Sequence, residues 1–256
     1  MENMILAILQ ARFSSSRLPM KALKPILNKP MLLHQIERLQ HSVLIDKMVV
    51  ATSIADSDDV IEKMCLENNI EIFRGDLNNV LDRFYECAKL YNPKYIVRLT
   101  GDCPLTDWQV IDEMIQYCLD GNFDYVETSS KFPDGLDAEI LTIDALVEAK
   151  NNAVLPSEIE HVTQYIVTRP EQFTNRVFEF YQDLSHLRWT VDEPEDFVLV
   201  EKIYQALYEL NPTFLTNDIL NLLQDRPTLS NINDRFTRNE GLEKSLKDDK
   251  EFLKNV

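Results

Sequence analysis

The chain has 256 residues, 45% of them hydrophobic, and is long enough to bury a sizeable core as one large α/β domain or two small ones. Its net charge of −17 argues against a general nucleic-acid or anionic-membrane surface, because phosphate backbones and anionic headgroups repel such a chain at long range. No apolar stretch of about 18 residues occurs, and the start MENMILAILQ lacks a basic segment and a small-residue cleavage site, so a soluble cytoplasmic protein is expected.

The run Met4 to Ala11 (MILAILQA) is apolar almost throughout, which predicts a strand buried on both faces. A polar loop follows until a helical pattern begins near Met31. KMVVAT predicts a strand near residues 47 to 52, SDDVIEKMCLENN an amphipathic helix opened by a Ser57 or Asp56 cap, and IEIFRG a short strand. NNVLDRFYECAKLY then reads as helix. Tyr95 to Leu99 (YIVRL) predicts a strand, TGDCPL a turn, and DWQVIDEMIQYCL a helix capped by Asp107. Repeated strand–helix units imply a mainly parallel, doubly wound sheet.

From about Tyr125 to Thr190 the rhythm shortens. A strand near Tyr125, a turn at PDGLDAEI, helices near 142 to 152 and 157 to 168, and strands near 176 to 182 and 187 to 191 are expected, which suits antiparallel edge strands or a dimer arm. After Asp192, EPEDFVLVEKIYQALYEL predicts a helix with Pro194 in its first turn and acidic residues complementing its dipole. The last 40 residues carry two more short helical patterns and a charged tail. No internal repeat or low-complexity linker breaks the chain.

Cys65, Cys87, Cys103 and Cys118 form no C-x-x-C pair and read as reduced thiols. The four histidines show no metal-ligand spacing, so structural zinc is not expected. Charge is unevenly placed. Residues 1 to 40 hold six basic groups (Arg12, Arg17, Lys21, Lys24, Lys29, Arg38) against Glu2 and Glu37, a net +4 that leaves −21 for the remainder. A basic segment in an acidic chain points to a compact anionic ligand.

The loop Ala11 to Lys21 concentrates this charge. Arg12, Arg17 and Lys21 and the hydroxyls of Ser14, Ser15 and Ser16 sit in eleven residues, with no acidic residue between Gln10 and Pro30. A polyphosphate is best held by several donors at once, Arg offering a planar fork and Lys a movable point charge. Ligands of doubly wound sheets bind beyond the carboxyl ends of the strands, where this loop is expected. The alternative is a solvated basic loop. Neither a Walker loop nor a G-x-G-x-x-G fingerprint is present, which removes the usual support for an ATPase or a dehydrogenase.

The pattern R-x-x-S-x-R-L-P-x-K (Arg12 to Lys21) resembles the signature loop of the cytidylyltransferases that activate acidic sugars, such as CMP-Kdo and CMP-sialic acid synthetases. The resemblance continues through RGDLNNVLDRF, TGDCPL, PDGLDAEI, EHVTQYI and LRWTVDEPEDF and spans nearly the whole chain. With RPTLSNIND near the end, it is most similar to the spore coat polysaccharide biosynthesis branch of that family. It implies a Rossmann-like nucleotidyltransferase fold, Mg2+ dependence and a homodimer. One position departs: Met20 stands where such loops commonly have Gly, which removes freedom to adopt positive φ.

On this resemblance, Asp102 and Asp192 are the Mg2+ ligands, although Gly-Asp-x-Pro alone is an ordinary turn and an acid before a helix-opening proline is often a cap. Asp134, Asp137 and Glu139, otherwise turn acids, and Glu160 and His161, otherwise helix-dipole residues, are candidates to meet an acceptor. Arg74, Thr52, Ser53, Thr100 and Gly101 join Ala11, Arg12, Ser14, Ser15, Ser16, Arg17 and Lys21 as candidate nucleotide contacts. Asp82 and Arg83 read as a helix-surface pair. The expected reaction is transfer of CMP from CTP to a small acidic or phosphorylated sugar or polyol, with Arg12, Arg17, Lys21 and Asp102 as catalytic residues. The acids around Asp137 slightly favour an acceptor bearing an amine.

Two other readings stay open, a nucleotide-sugar-dependent glycosyltransferase, for which no convincing D-x-D motif exists, and a non-catalytic nucleotide-binding protein of the same fold. One domain, 1–256, is expected, with 125–190 as an acceptor-side or dimerisation subregion and 211–256 as a C-terminal helical extension.

Overall fold

A computed structural model describes residues 4–14, 17–238 and 240–254. In chain order these form β1 (Ile5–Gln10), a hairpin of β2 (Pro25–Ile26) and β3 (Lys29–Pro30), α1 (Met31–Leu39), β4 (Lys47–Ser53), α2 (Asp59–Glu67) and β5 (Ile72–Gly75). Next come α3 (Val80–Tyr91), β6 (Tyr95–Thr100), α4 (Trp108–Gly121), β7 (Tyr125–Thr128), β8 (Glu139–Thr142), α5 (Ile143–Asn152), α6 (Pro156–Glu160) and α7 (Gln164–Val167). β9 (Asn175–Phe178), α8 (Pro194–Leu207), α9 (Thr216–Asp225) and α10 (Glu240–Phe252) complete the order.

The central sheet has seven strands in the order β5-β4-β1-β6-β8-β7-β9. β5, β4, β1 and β6 are parallel, β8 runs antiparallel between β6 and β7, and β7 pairs with β9 in parallel. The small antiparallel sheet is the β2–β3 hairpin. The continuous apolar run of β1 has a direct cause in this arrangement. Leu6 and Ile8 point into one core beside α3 and α5, whereas Ala7 and Leu9 point into the other beside α1, α4 and α8. A strand covered on both faces has no solvent side to pattern.

β1 is the pivot of the fold. From it the chain steps outward to β4 and β5, then returns to the other side as β6. That reversal is the topological switch point where open α/β sheets bind ligands. The register places Gln10 level with Thr100, so the loops leaving β1 and β6 emerge side by side.

Four local expectations are corrected. Leu187 to Val191 is no strand: Arg188 makes an isolated bridge with Asp134, and the backbone N–H groups of Trp189 and Thr190 both donate to the Asp134 carbonyl. The helix expected over 157 to 168 is broken into α6 and α7 at Val162, where φ is 59°. The strand expected to reach residue 182 ends at Phe178. Neither Ser57 nor Asp56 caps α2, whose preceding residue Asp58 turns its carboxylate to other donors. The charged tail is helical as α10, which packs on α6 through a bond from the Ser157 N–H to Asp249.

Gly135 occupies φ 108°, and a Cβ there would lie 2.3 Å from the Thr190 backbone nitrogen. Gly135→Ala therefore faces both a forbidden dihedral and a backbone clash, with an expected loss on the order of 2 to 3 kcal/mol. Urea unfolding is expected to show a lower midpoint with an unchanged slope; an unchanged midpoint contradicts the crowding.

Candidate functional site

Two loops at the switch point build the site. The β1 loop is tied down at its start, where the Ala11 N–H donates to the Ala51 carbonyl. The buried Asp58 then fastens it, accepting from the Phe13 N–H at 2.7 Å and from the N–H and hydroxyl of Ser53 at the end of β4. Met20 closes the loop at φ 61°, so a non-glycine residue does adopt the left-handed conformation that its side chain disfavours. Lys21 follows on a single 3-10 turn, Lys21–Leu23.

The β6 loop supplies Asp102. Gly101 donates its N–H to the Gln10 carbonyl at 2.7 Å, and a Cβ on it would lie 3.0 Å from both Ala11 Cβ and Gln10 O. A third segment arrives from far along the chain: the Val191 N–H donates to the Asp102 carbonyl at 2.8 Å, which brings Asp192 alongside. Capping of α8 falls to Asp196, whose carboxylate accepts from the Asp192 and Glu193 N–H groups, leaving the Asp192 side chain to face the cleft.

Lys21 joins the three segments. Its ammonium is 2.9 Å from Asp102 Oδ2 and 2.8 Å from Asp192 Oδ1, with only 13% of the side chain exposed. The two carboxylate oxygens therefore lie no more than 5.7 Å apart, the sum of those distances. Burial works to lower the Lys21 pKa, yet the charges of Asp102 and Asp192 outweigh it and hold it above the ordinary lysine value. Burial likewise works to raise Asp102, but the Lys21 charge, with hydrogen bonds from Thr100 and Lys21, holds its carboxyl well below the usual range.

Two cavities meet here. The smaller, about 220 Å³, is lined by Ala11, Arg12, Ser14, Lys21 and Gly101, among others. The larger, about 740 Å³, gathers Asp134, Asp137, Glu139 and His161. Arg17, Thr100, Asp102 and Asp192 line both. Of the remaining candidates, Ser15 and Ser16 lie outside the described residues. Thr52 and Ser53 have no exposed surface, and Ser53 braces Asp58. Arg74 is engaged with Asp59 and Glu62 and donates to the Ser53 and Ala55 carbonyls, holding the turn after β4. Glu160 pairs with Arg12 at 3.6 Å, and His161 is bonded to Ser245 of α10.

The sequence reading did not assign three arginines of the larger cavity. Arg98 pairs with Glu139, Arg188 with Asp134 at 2.6 Å and Arg238 with Asp137, so each acid that suggested an amine ligand already has its own cation. A charged residue inside the apolar run YIVRL was the available signal for Arg98. Arg83 is no surface residue: it is fully buried and donates to the Asp76 carbonyl, while Asp82 pairs with Lys150.

Among the described residues no group of three or more His, Cys, Asp or Glu is arranged to hold a metal ion. Two carboxylates are the set available, and an ammonium between them shows that the place accepts a cation. Such a pair fits Mg2+, which commonly uses one or two carboxylates and completes its shell with water and phosphate oxygens.

A family model described as Cytidylyltransferase matches residues 6–232. The chain is 37% identical over 233 residues to an uncharacterized protein of Methanocaldococcus jannaschii, covering 90% of this chain and 94% of that one. It is 32% identical to the spore coat polysaccharide biosynthesis protein SpsF of Bacillus subtilis, covering 88% of this chain and 96% of the relative. A solved cytidylyltransferase structure from Leptospira borgpetersenii superimposes with a TM-score of 0.85 at 30% identity, over 93% of this chain and all of that one. Among the described residues no helix is long and apolar enough to cross a membrane.

Burial and the neighbouring Asp137 push the Asp134 carboxyl up to about 6 from its ordinary 3.8, with Arg188 and Arg238 opposing them. A carboxyl whose pKa is raised on folding favours the folded state below its unfolded pKa and loses that contribution as pH rises through the folded one. The expected window is therefore about pH 4 to 6. Carbon-13 NMR of the Asp134 carboxyl is expected to give a midpoint near 6, lowered in Asp137→Asn; a midpoint near 4 in the native chain contradicts this environment.

Proposed function

We propose, because the chain belongs to the cytidylyltransferase family, that it transfers CMP from CTP to a small acidic or phosphorylated sugar or polyol in the synthesis of a surface polysaccharide. The observation that carries this reading is the wall shared by the two cavities. Arg17, Asp102 and Asp192 stand where a cation-lined pocket of about 220 Å³ meets a larger one of about 740 Å³. A triphosphate in the smaller pocket would present its α-phosphorus to an acceptor in the larger.

The reaction is in-line attack by an acceptor oxygen on the α-phosphorus, with the bond to the departing pyrophosphate breaking. Charge moves onto the leaving group, and Arg12, Arg17 and Lys21 would neutralise it from the β1 loop. Asp102 and Asp192 would hold Mg2+, which when bound supplies further charge neutralisation on the phosphates. No protein nucleophile is needed, so positioning accounts for most of the protein's work. An acceptor phosphate or carboxylate needs no general base to deprotonate it.

The acids at Asp134, Asp137 and Glu139 do not by themselves select an amine, although Asp102, Glu127, Glu179 and Asp192 also line the larger cavity. Arg17, Arg98, Arg188 and Arg238 line it together with the acids, and three of those acids are already matched by arginines. The name of the Bacillus subtilis relative, a spore coat polysaccharide biosynthesis protein, supports placing the product in a surface glycan.

Calorimetry with CTP and Mg2+ tests the nucleotide half of this reading. Loss of one charge-assisted phosphate contact costs roughly 1.5 to 3 kcal/mol, so Arg17→Ala and Lys21→Ala are each expected to bind CTP on the order of 10- to 100-fold more weakly. Asp102→Asn is expected to abolish pyrophosphate release. Unchanged CTP affinity in both cation variants contradicts the assignment.

A further inference from the structure

The three cations of the β1 loop are all spent on carboxylates in the nucleotide-free chain. Arg12 lies 3.6 Å from Glu160, Arg17 contacts Asp192 at 3.0 Å and Glu193 at 3.3 Å, and Lys21 spans Asp102 and Asp192. Two of these phosphate-binding candidates, Arg17 and Lys21, are thus paired with the carboxylates that would bind a metal ion. Of these pairs the Lys21 bridge is the least exposed, and it lies between the two carboxylates that fit a cation.

We propose that Lys21 gates this place: in the nucleotide-free chain its ammonium stands where the divalent cation would sit, and a bound triphosphate draws it away, so that nucleotide opens the cation site. The inference rests on the reading of Asp102 and Asp192 as cation ligands. Its physical basis is exclusion. Mg2+ binds oxygens at about 2.0 to 2.1 Å, and an ammonium 2.8 to 2.9 Å from the same two carboxylates fills the same space with a like charge.

Departure of Lys21 requires a better anion for it, and the triphosphate supplies one. The lysine stem has rotatable bonds enough to swing its point charge from carboxylate to phosphate without moving the backbone. Once it leaves, two carboxylates no more than 5.7 Å apart face each other without their shared counter-ion and attract a cation strongly. Nucleotide and cation binding then assist one another by the same factor, because coupling between two sites is reciprocal.

The test is Mn2+ binding to the full-length chain, read from loss of the free-ion electron paramagnetic resonance signal. Four arms are compared: the native chain alone, the native chain with CTP, Lys21→Met alone, and Lys21→Met combined with Asp102→Asn. CTP without protein corrects the second arm for Mn2+ held by the nucleotide itself. Lys21→Met alone is expected to bind Mn2+ at least 10-fold more tightly than the native chain alone, and the Asp102→Asn combination to lose that binding. Mn2+ is expected to raise the Tm of Lys21→Met and not that of the native chain.

A native chain that binds Mn2+ as tightly without CTP as with it overturns the gate, and this comparison needs no variant to fold. Lys21→Gln replaces Lys21→Met if the latter does not fold. If the native chain with CTP takes up Mn2+ and neither lysine variant does so alone, the gate is wrong while the cation reading stands. If no arm binds Mn2+, both fail.

Discussion

Two carboxylates held within a few ångströms of one another repel unless a cation stands between them, and the centre of this molecule is built around that requirement. Asp102 comes from the loop after β6, Asp192 from the approach to α8, and Lys21 from the turn that ends the β1 loop. Ninety residues separate the two acids. The backbone bond from Val191 to the Asp102 carbonyl closes that distance, and the Lys21 ammonium makes the closure electrostatically tolerable. Asp196 contributes by accepting the N–H groups at the start of α8, which frees the Asp192 side chain from a capping role.

The sheet explains why these segments meet at all. Because β1 is covered on both faces and flanked by β4 and β6, its loop has one exit, over the carboxyl edge beside the β6 loop. The antiparallel β8 continues the sheet past β6 and carries Glu139 toward the larger cavity, where Arg98 of the adjacent strand pairs with it. Two cavities thus share a wall, one lined by the loop cations and the other by four arginines among a larger number of acids.

Much of this was legible in the amino-acid sequence. The apolar run of β1, the alternation of strand and helix through α4, the basic loop and the family motifs that include Asp102 and Asp192 are all local signals, and Asp107 caps α4 as its position suggested. What stayed hidden depends on contacts distant in the chain. Asp58 looked like a residue of a helix start, but its partners are Phe13 and Ser53. Arg83 followed a helix-surface pattern, yet Gly75 leaves room for its side chain to lie buried. Leu187 to Val191 had the composition of a strand and became instead the tether between Asp134 and Asp102, because its N–H groups found those carbonyls rather than a ladder. The acids near residue 137 read as an unmatched cluster only because Arg188 and Arg238 lie 50 and more positions away.

The proposed transfer turns on which phosphorus of the nucleotide is attacked. A nucleotidyl transfer across the wall of Arg17, Asp102 and Asp192 moves the α-phosphorus to the acceptor and releases the outer two as pyrophosphate, whereas a glycosyltransferase or a mere nucleotide binder leaves CTP intact. Incubation of the chain with Mg2+, CTP labelled at its α-phosphorus and a panel of sugar acids, sugar phosphates and polyol phosphates tests this directly, with products separated and weighed by mass spectrometry. Label is expected in a new species heavier than its acceptor by one cytidylyl group, with one pyrophosphate released for each molecule formed; label that stays in CTP across the whole panel rules the transfer out.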